Sequence, residues 1–215
     1  EEKAFFMLNT SGYNIGNFTM PFAQSFLGPA GVITTSLFDT GNSFICLGGA
    51  FSAAKMVKEG EGKISLIPII KTLVRSVPFD AYITMTALSL LHISLPAPVI
   101  TFSEVVSGAN AFIAMLMMGV GFKISGETSQ KGKIVKILAV RYGVSIAVAA
   151  ALYFFMPLPL EYRQALAILP LSPIASAAPA FTADLKGDFG LASAVNSISI
   201  VISIVLITAT LLIIL

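Results

Sequence analysis

The chain has little charge. Of its 215 residues, 11% are Asp, Glu, Lys or Arg, against roughly 25% in an ordinary soluble domain. A soluble fold needs a charged surface to stay dissolved, so this deficit excludes most of them. Disorder is excluded by the same balance, because 56% of the residues are hydrophobic and the mean hydropathy is +0.89. The single cysteine, Cys46, allows neither an internal disulfide nor a cysteine zinc cluster. The single histidine, His92, argues against a histidine metal site or a catalytic triad. Thirteen basic and eleven acidic residues leave a net charge of +2, which gives nucleic acid no electrostatic footprint to bind. No phosphate-binding Gly-x-x-x-x-Gly-Lys-Ser/Thr occurs, so the chain carries no nucleotide-driven pump motif. The opening Glu1-Glu2-Lys3 lacks the basic region of a secretory signal peptide.

What is present instead is long apolar sequence. Residues 4–38, 40–54, 81–103, 105–122, 142–160, 164–183 and 189–215 are each free of charge. A bilayer core of about 30 Å takes roughly 20 apolar residues per spanning helix, whereas a β-barrel would alternate in runs of about 10. The pattern predicts an all-α polytopic membrane protein, with spans near 4–26, 30–55, 77–95, 100–122, 134–156, 162–183 and 189–214. Between the second and third spans, residues 57–76 read as a linker and an interfacial segment, too short and too basic to span.

The charges also set an orientation. Lys55, Lys58, Lys63, Lys71 and Arg75 cluster in one connection, and Lys123, Lys131, Lys133 and Lys136 in another two helices away. By the positive-inside rule both are cytoplasmic. The turns near 27–29 and 96–98 carry no Lys or Arg and face outside. The first span then starts inside and Leu215 ends outside. An inside start at the mouth of a helix suggests chain upstream of residue 1.

Two spans are poorly built as continuous helices. Residues 9–21 contain Asn9, Gly12, Asn14, Gly16, Asn17 and Pro21; residues 170–179 contain Pro170, Pro173 and Pro179. Proline inside a helix costs about 3 kcal/mol, and backbone groups freed in hydrocarbon need protein, water or ligand partners. Such breaks either kink a helix or, in many secondary transporters, build the binding site. The two segments also match each other: Pro21 precedes Gly28 and Gly31 by 7 and 10 residues, and Pro179 precedes Gly187 and Gly190 by 8 and 11. One runs inside to outside and the other returns, which is the pattern of an inverted repeat.

Asn14-Ile-Gly16-Asn17-Phe-Thr-Met-Pro21-Phe, with Phe26-Leu-Gly28 after it, resembles the Asn-x-Gly-Asn-x-Gly-x-Pro stretch of the auxin efflux carrier family, which includes bacterial malate-permease-like proteins. Pro78 opening a helix, Gly119-Val-Gly-Phe before a basic loop, Val140-Arg141-Tyr, and Pro173-Ile-Ala175 followed by Asp188 extend the resemblance over nearly the whole chain. It departs at Thr19, where the family usually has Gly, and at the small residues 175–180, where Ser176 is the one polar side chain. The resemblance implies a ten-helix secondary transporter with two crossing broken helices. On it, residues 1–56 are the last two helices of the first five-helix repeat and residues 77–215 are the second repeat, with about three helices upstream. It further implies a multi-pass protein of the plasma (inner) membrane, a small organic anion as substrate, no enzymatic activity and no cofactor, and it is compatible with a homodimer.

Site residues follow from it, each beside a plainer reading. Asn14, seven residues before Pro21, stands where the family places a substrate-contacting Asn; the alternative is a helix–helix hydrogen bond. Asn17 and Asn9 share the argument more weakly. Pro21 and Pro179 make the crossing, and Ala177 and Ala178 offer backbone groups at its depth. Arg141 either snorkels to the cytoplasmic interface or points inward to attract an anion or pair with a carboxylate; the resemblance favours the second. Asp39, at mid-helix, shares a face with Asn42 and suits ion coupling, with a structural pair as the alternative. Asp80 is a helix-dipole partner or a site residue. His92 and Glu104 read as interfacial, Met115, Met117 and Met118 as packing, and Cys46 as a small buried residue. The coupling ion, H+ or Na+, stays open, since a sodium site wants clustered carbonyls, amides and carboxylates as in the related bile acid:sodium symporters. That carrier type is one alternative; a membrane scaffold or intramembrane enzyme is another, although Asp39 and Asp80 form no recognisable catalytic motif. A channel also stays open, with crossing broken helices favouring a carrier.

Overall fold

The computed structural model describes residues 1–59, 67, 70, 74, 77–120 and 130–215. Most of the linker expected over 57–76 and half of the basic connection over 123–136 lie outside them, as do the side chains of Met115, Met117 and Met118. Helix is the regular structure among the described residues, with no strand beyond one isolated bridge.

The first expected span is interrupted, as its Asn, Gly and Pro content predicts. Helix α1 (Glu2–Thr10) stops where Ser11 turns extended, and Gly12 follows at φ +77°. A π-helical turn, Ile15–Thr19, then leads into α2 (Met20–Phe26). Pro21 sits in the first turn of α2, directly after the π-turn, whose Met20 N–H reaches back to the Ile15 carbonyl.

Helix α3 (Gly28–Phe44), a second π-turn (Ile45–Gly49) and α4 (Ala50–Glu59) run on in continuous helical backbone. Gly49 makes that π-turn feasible, because a Cβ there would lie 2.9 Å from the Phe44 carbonyl oxygen.

Helix α5 (Val77–Leu90) is shorter than the span expected over 77–95. It ends in a Schellman motif: His92 lies at φ +55°, its N–H bonds to Ser89, and the Ile93 N–H reaches back to Leu88. Pro96 lies just beyond, disfavours helical backbone at Leu95, and opens the next helix, its carbonyl accepting from the Val99 N–H at 2.9 Å. His92 thus has a backbone role besides its exposed position. Helix α6 spans Ala97–Val120 and α7 spans Lys131–Phe155.

The sixth expected span is interrupted in turn. Helix α8 (Leu160–Ile168) tightens into a 3-10 turn (Leu169–Leu171), the chain extends at Ser172, and α9 (Ala178–Asp184) restarts with Pro179 in its first turn. A second Schellman motif closes α9, with Lys186 at φ +53° and Gly187 N–H bonded to Thr182. Asp188 then caps α10 (Phe189–Ile214), accepting from the Leu191 N–H at 2.8 Å.

Helices α7 and α10 are long and apolar enough to cross a membrane. In their most apolar windows only 33% and 28% of residues are buried, unlike the core helix of a soluble protein. Large apolar side chains such as Val135, Val144, Phe154, Val205 and Leu212 face outward along them. Exposed apolar surface on this scale marks contact with lipid or protein. Inside, one core cluster joins Ile137, Leu138 and Tyr142 of α7 to Ile174, Ala194 and Val195. A second joins Phe18 to Ala149, Ile168, Leu171, Ile207 and Leu211. Both are built around the two interruptions.

Candidate functional site

The two interruptions meet. Tyr13 and Ile174 form an antiparallel bridge, and the Asn14 N–H donates to the Pro173 carbonyl at 3.0 Å. Buried backbone that leaves a helix must find partners elsewhere, and each break supplies them to the other. Side chains repeat the exchange. Asn9, in the first half of one segment, donates through Nδ2 to the Thr182 hydroxyl, in the second half of the other, at 3.2 Å. Reciprocally, Thr19 at the start of the second half of the first segment hydrogen-bonds Ser172 at the end of the first half of the other. Ser172 itself donates to the Leu169 carbonyl at 2.6 Å, which makes Thr19 the donor.

Arg141 of α7 reaches into this meeting point and is 3% exposed. Its Nη1 donates to the Thr10 carbonyl at 2.7 Å. Its Nη2 lies 2.9 Å from the Gly12 carbonyl, 3.0 Å from that of Ser172 and 3.1 Å from that of Pro173. The guanidinium carbon is 4.8 Å from the centre of the Tyr13 ring, within cation–π range. The Arg141 side chain therefore points inward, and its hydrogen bonds go to backbone carbonyls rather than to a carboxylate. These carbonyls belong to both breaks. A buried charge is tolerated when charge-assisted hydrogen bonds replace its water.

A second group holds Tyr13 from α3. The Asn42 amide accepts from the Tyr13 N–H at 3.0 Å and donates to the Tyr13 carbonyl at 2.7 Å. Asn42 also donates to Asp39 Oδ1 at 3.1 Å, so the polar pair expected on one helix face exists. Cys46 adds Sγ contacts at 3.2 Å to Asn42 Oδ1 and 3.5 Å to the Tyr13 carbonyl. It belongs to the π-turn, a distortion frequent at functional sites. From the opposite side, Ser199 of α10 accepts the Ile174 N–H at 3.1 Å. The Tyr142 hydroxyl bonds the Ser199 carbonyl and the Ser203 hydroxyl, both at 2.7 Å.

The sequence-derived residues divide accordingly. Arg141, Asn14, Asp39 and Asn42 are buried at or beside the meeting point. Asn17 is exposed. Ala177 and Ala178 do not present free carbonyls: these accept from the Phe181 N–H at 3.0 Å and the Thr182 hydroxyl at 2.8 Å. Asp80 is exposed in the first turn of α5, whose main packing partner is α3. Sequence reasoning gave no role to Thr182 or Ser172 and treated Cys46 as filler. The available signal was polar side chains flanking the alanine stretch on either side.

A cavity of about 380 Å³ opens beside the meeting point, lined by Gly12, Tyr13, Leu37, Phe38, Gly41, Asn42 and Ile45. Another, of about 350 Å³, lies below α1 and α9, where Lys58, Lys133, Lys136 and Lys186 share the lining with Glu1, Glu2 and Asp188. Among the described residues, no three His, Cys, Asp or Glu side chains gather as a metal site. The chain matches no family model, no curated protein and no solved structure.

Proposed function

We propose that this chain is the helix-crossing portion of a multi-pass secondary transporter resembling the auxin efflux carriers, moving a small organic anion by alternating access. The observation that carries the reading is the reciprocal junction of the two interrupted helices around Arg141. Interrupted helices that meet inside a bundle are how many carriers build a substrate site. The inverted-repeat arrangement is supported by the likeness of the two segments. Each breaks after a first half-helix, restarts with a proline in its first turn, and passes through a left-handed residue, Gly28 or Lys186, near the start of a long helix.

In this reading the substrate lies beside the junction, in reach of Asn14 and of the cavity lined by Tyr13 and Asn42. A carboxylate suits it, because the buried Arg141 guanidinium lies behind Tyr13, which lines the cavity, and an amide can donate to an anion. Rocking of one helix group against the other would open the site to alternate sides. Asp39, hydrogen-bonded to Asn42, is the candidate for carrying a coupled proton.

The test is counterflow of labelled carboxylates, malate first, in proteoliposomes holding the purified protein. Saturable exchange supports a carrier. Unsaturable flux without exchange points to a channel and sinks the proposal.

A further inference from the structure

The ends of α1 and of the α8 3-10 turn come together at the junction. Each end leaves carbonyls without helical partners, and each carries the partial negative charge of a helix C-terminus. Thr10 and Gly12 contribute from one side, and Ser172 and Pro173 from the other. The Pro173 carbonyl also accepts the Asn14 N–H; without a cation the crowded oxygens would still repel one another. Freed carbonyls at half-helix C-termini are the chemistry that elsewhere coordinates a transported cation. Here the four oxygens lie 2.7 to 3.1 Å from the two terminal nitrogens of one guanidinium.

We propose that the junction is a cation site whose occupant is built into the chain, and that Arg141 is the positioning residue that locks the two interrupted helices together. Three features fit a planar cation better than a sphere. Two different nitrogens are used, and Nη2 alone spans carbonyls of both segments. The Tyr13 ring lies at one face, 4.8 Å from the guanidinium carbon. The remaining nitrogen, Nε, is buried and has no hydrogen-bond partner among the described residues, so the fork is held by its tip. Removing the side chain at Cβ would leave a carbonyl-lined hole shaped for free guanidinium.

The inference rests on the carrier reading only for what the lock does in transport; the cation site itself stands on the geometry. The experiment is thermal unfolding of the purified protein in detergent, for wild type, Arg141→Ala and Arg141→Lys, titrated with guanidinium, sodium or choline chloride at matched ionic strength. Arg141→Ala should melt lower than wild type. Low-millimolar guanidinium should raise its midpoint saturably, choline should not, and wild type should respond to neither. Arg141→Lys should melt between the two, because an ammonium has three N–H donors for four carbonyls and no flat face to lay against the Tyr13 ring. The proposal is overturned if Arg141→Ala melts with wild type, or if guanidinium does not rescue it. Should Arg141→Ala fail to fold, Arg141→Lys decides alone, and wild-type stability of that variant overturns the bridging role. Counterflow run on the same preparations separates the two readings. Guanidinium rescue without counterflow in wild type removes the carrier and keeps the site; counterflow without rescue does the reverse.

Discussion

Asn42 holds Tyr13 by both of its backbone groups. Its amide oxygen accepts from the Tyr13 N–H at 3.0 Å, and its amide nitrogen donates to the Tyr13 carbonyl at 2.7 Å. One side chain thus does for a single unwound residue what a neighbouring strand does in a sheet. Replacement by Ala leaves two buried backbone groups without these partners, at about 1–3 kcal/mol each. Asn42→Ala should lower the unfolding midpoint in detergent by several degrees. A midpoint unchanged from wild type would show that Tyr13 finds other partners.

The two side-chain bonds across the junction should each show coupling. Double-mutant cycles of Asn9→Ala with Thr182→Val, and of Thr19→Val with Ser172→Ala, test them by unfolding. Interhelical hydrogen bonds in membrane proteins are worth about 0.6 to 2 kcal/mol, so each cycle should return a coupling in that range. Additive effects in both cycles would mean that the halves do not brace one another.

Gly12 is placed by conformation and by space together. It lies at φ +77°, and an added Cβ would fall 2.8 Å from Cys46 Sγ and 3.4 Å from the Ala175 Cβ. The left-handed backbone alone costs a non-glycine residue about 1–2 kcal/mol. Gly12→Ala should therefore destabilise, and adding Cys46→Ala should recover only the steric share. Gly41→Ala is the control, since its Cβ would meet nothing within 4 Å. Equal midpoints for the Gly12 and Gly41 variants would refute the assignment.

Ser199 links α10 to the second break, whereas Tyr142 links α7 to α10. Ser199→Ala strips a partner from the Ile174 N–H. Tyr142→Phe removes a hydroxyl from the Ser199 carbonyl, a group of the α10 backbone. Hydrogen–deuterium exchange should rise around residues 172–177 in Ser199→Ala. Tyr142→Phe should leave those amides closer to wild type. Equal exchange in the two variants would argue against a direct brace on Ile174.

Local chemistry made the interruptions legible in the sequence. Asn, Gly and Pro between residues 9 and 21, and three prolines between 170 and 179, mark where helical backbone fails. The expected last helix, 189–214, coincides with α10 because Asp188 caps it and nothing interrupts its apolar run. The end of α5 at Leu90 was not legible. It depends on His92 accepting a left-handed conformation usually left to glycine. Nor was the junction itself, where side-chain hydrogen bonds between the two breaks tie residues 153 to 173 positions apart. Sequence spacing sees one helix face at a time, so it found the Asp39–Asn42 pair and missed the partner of Asn42, Tyr13. For Arg141 it could offer an interfacial or an inward position, and only the convergence of four carbonyls decides between them.

The central claim is that transport passes beside the junction of the two interrupted helices. Its most direct measurement is the initial rate of carboxylate counterflow per inserted molecule for Asn14→Ala and Pro179→Ala against wild type. Insertion is quantified on the same vesicles. Both variants should insert normally and transport about tenfold slower or worse, a loss of roughly 1.4 kcal/mol or more in the transport step. Wild-type rates in both would contradict the account.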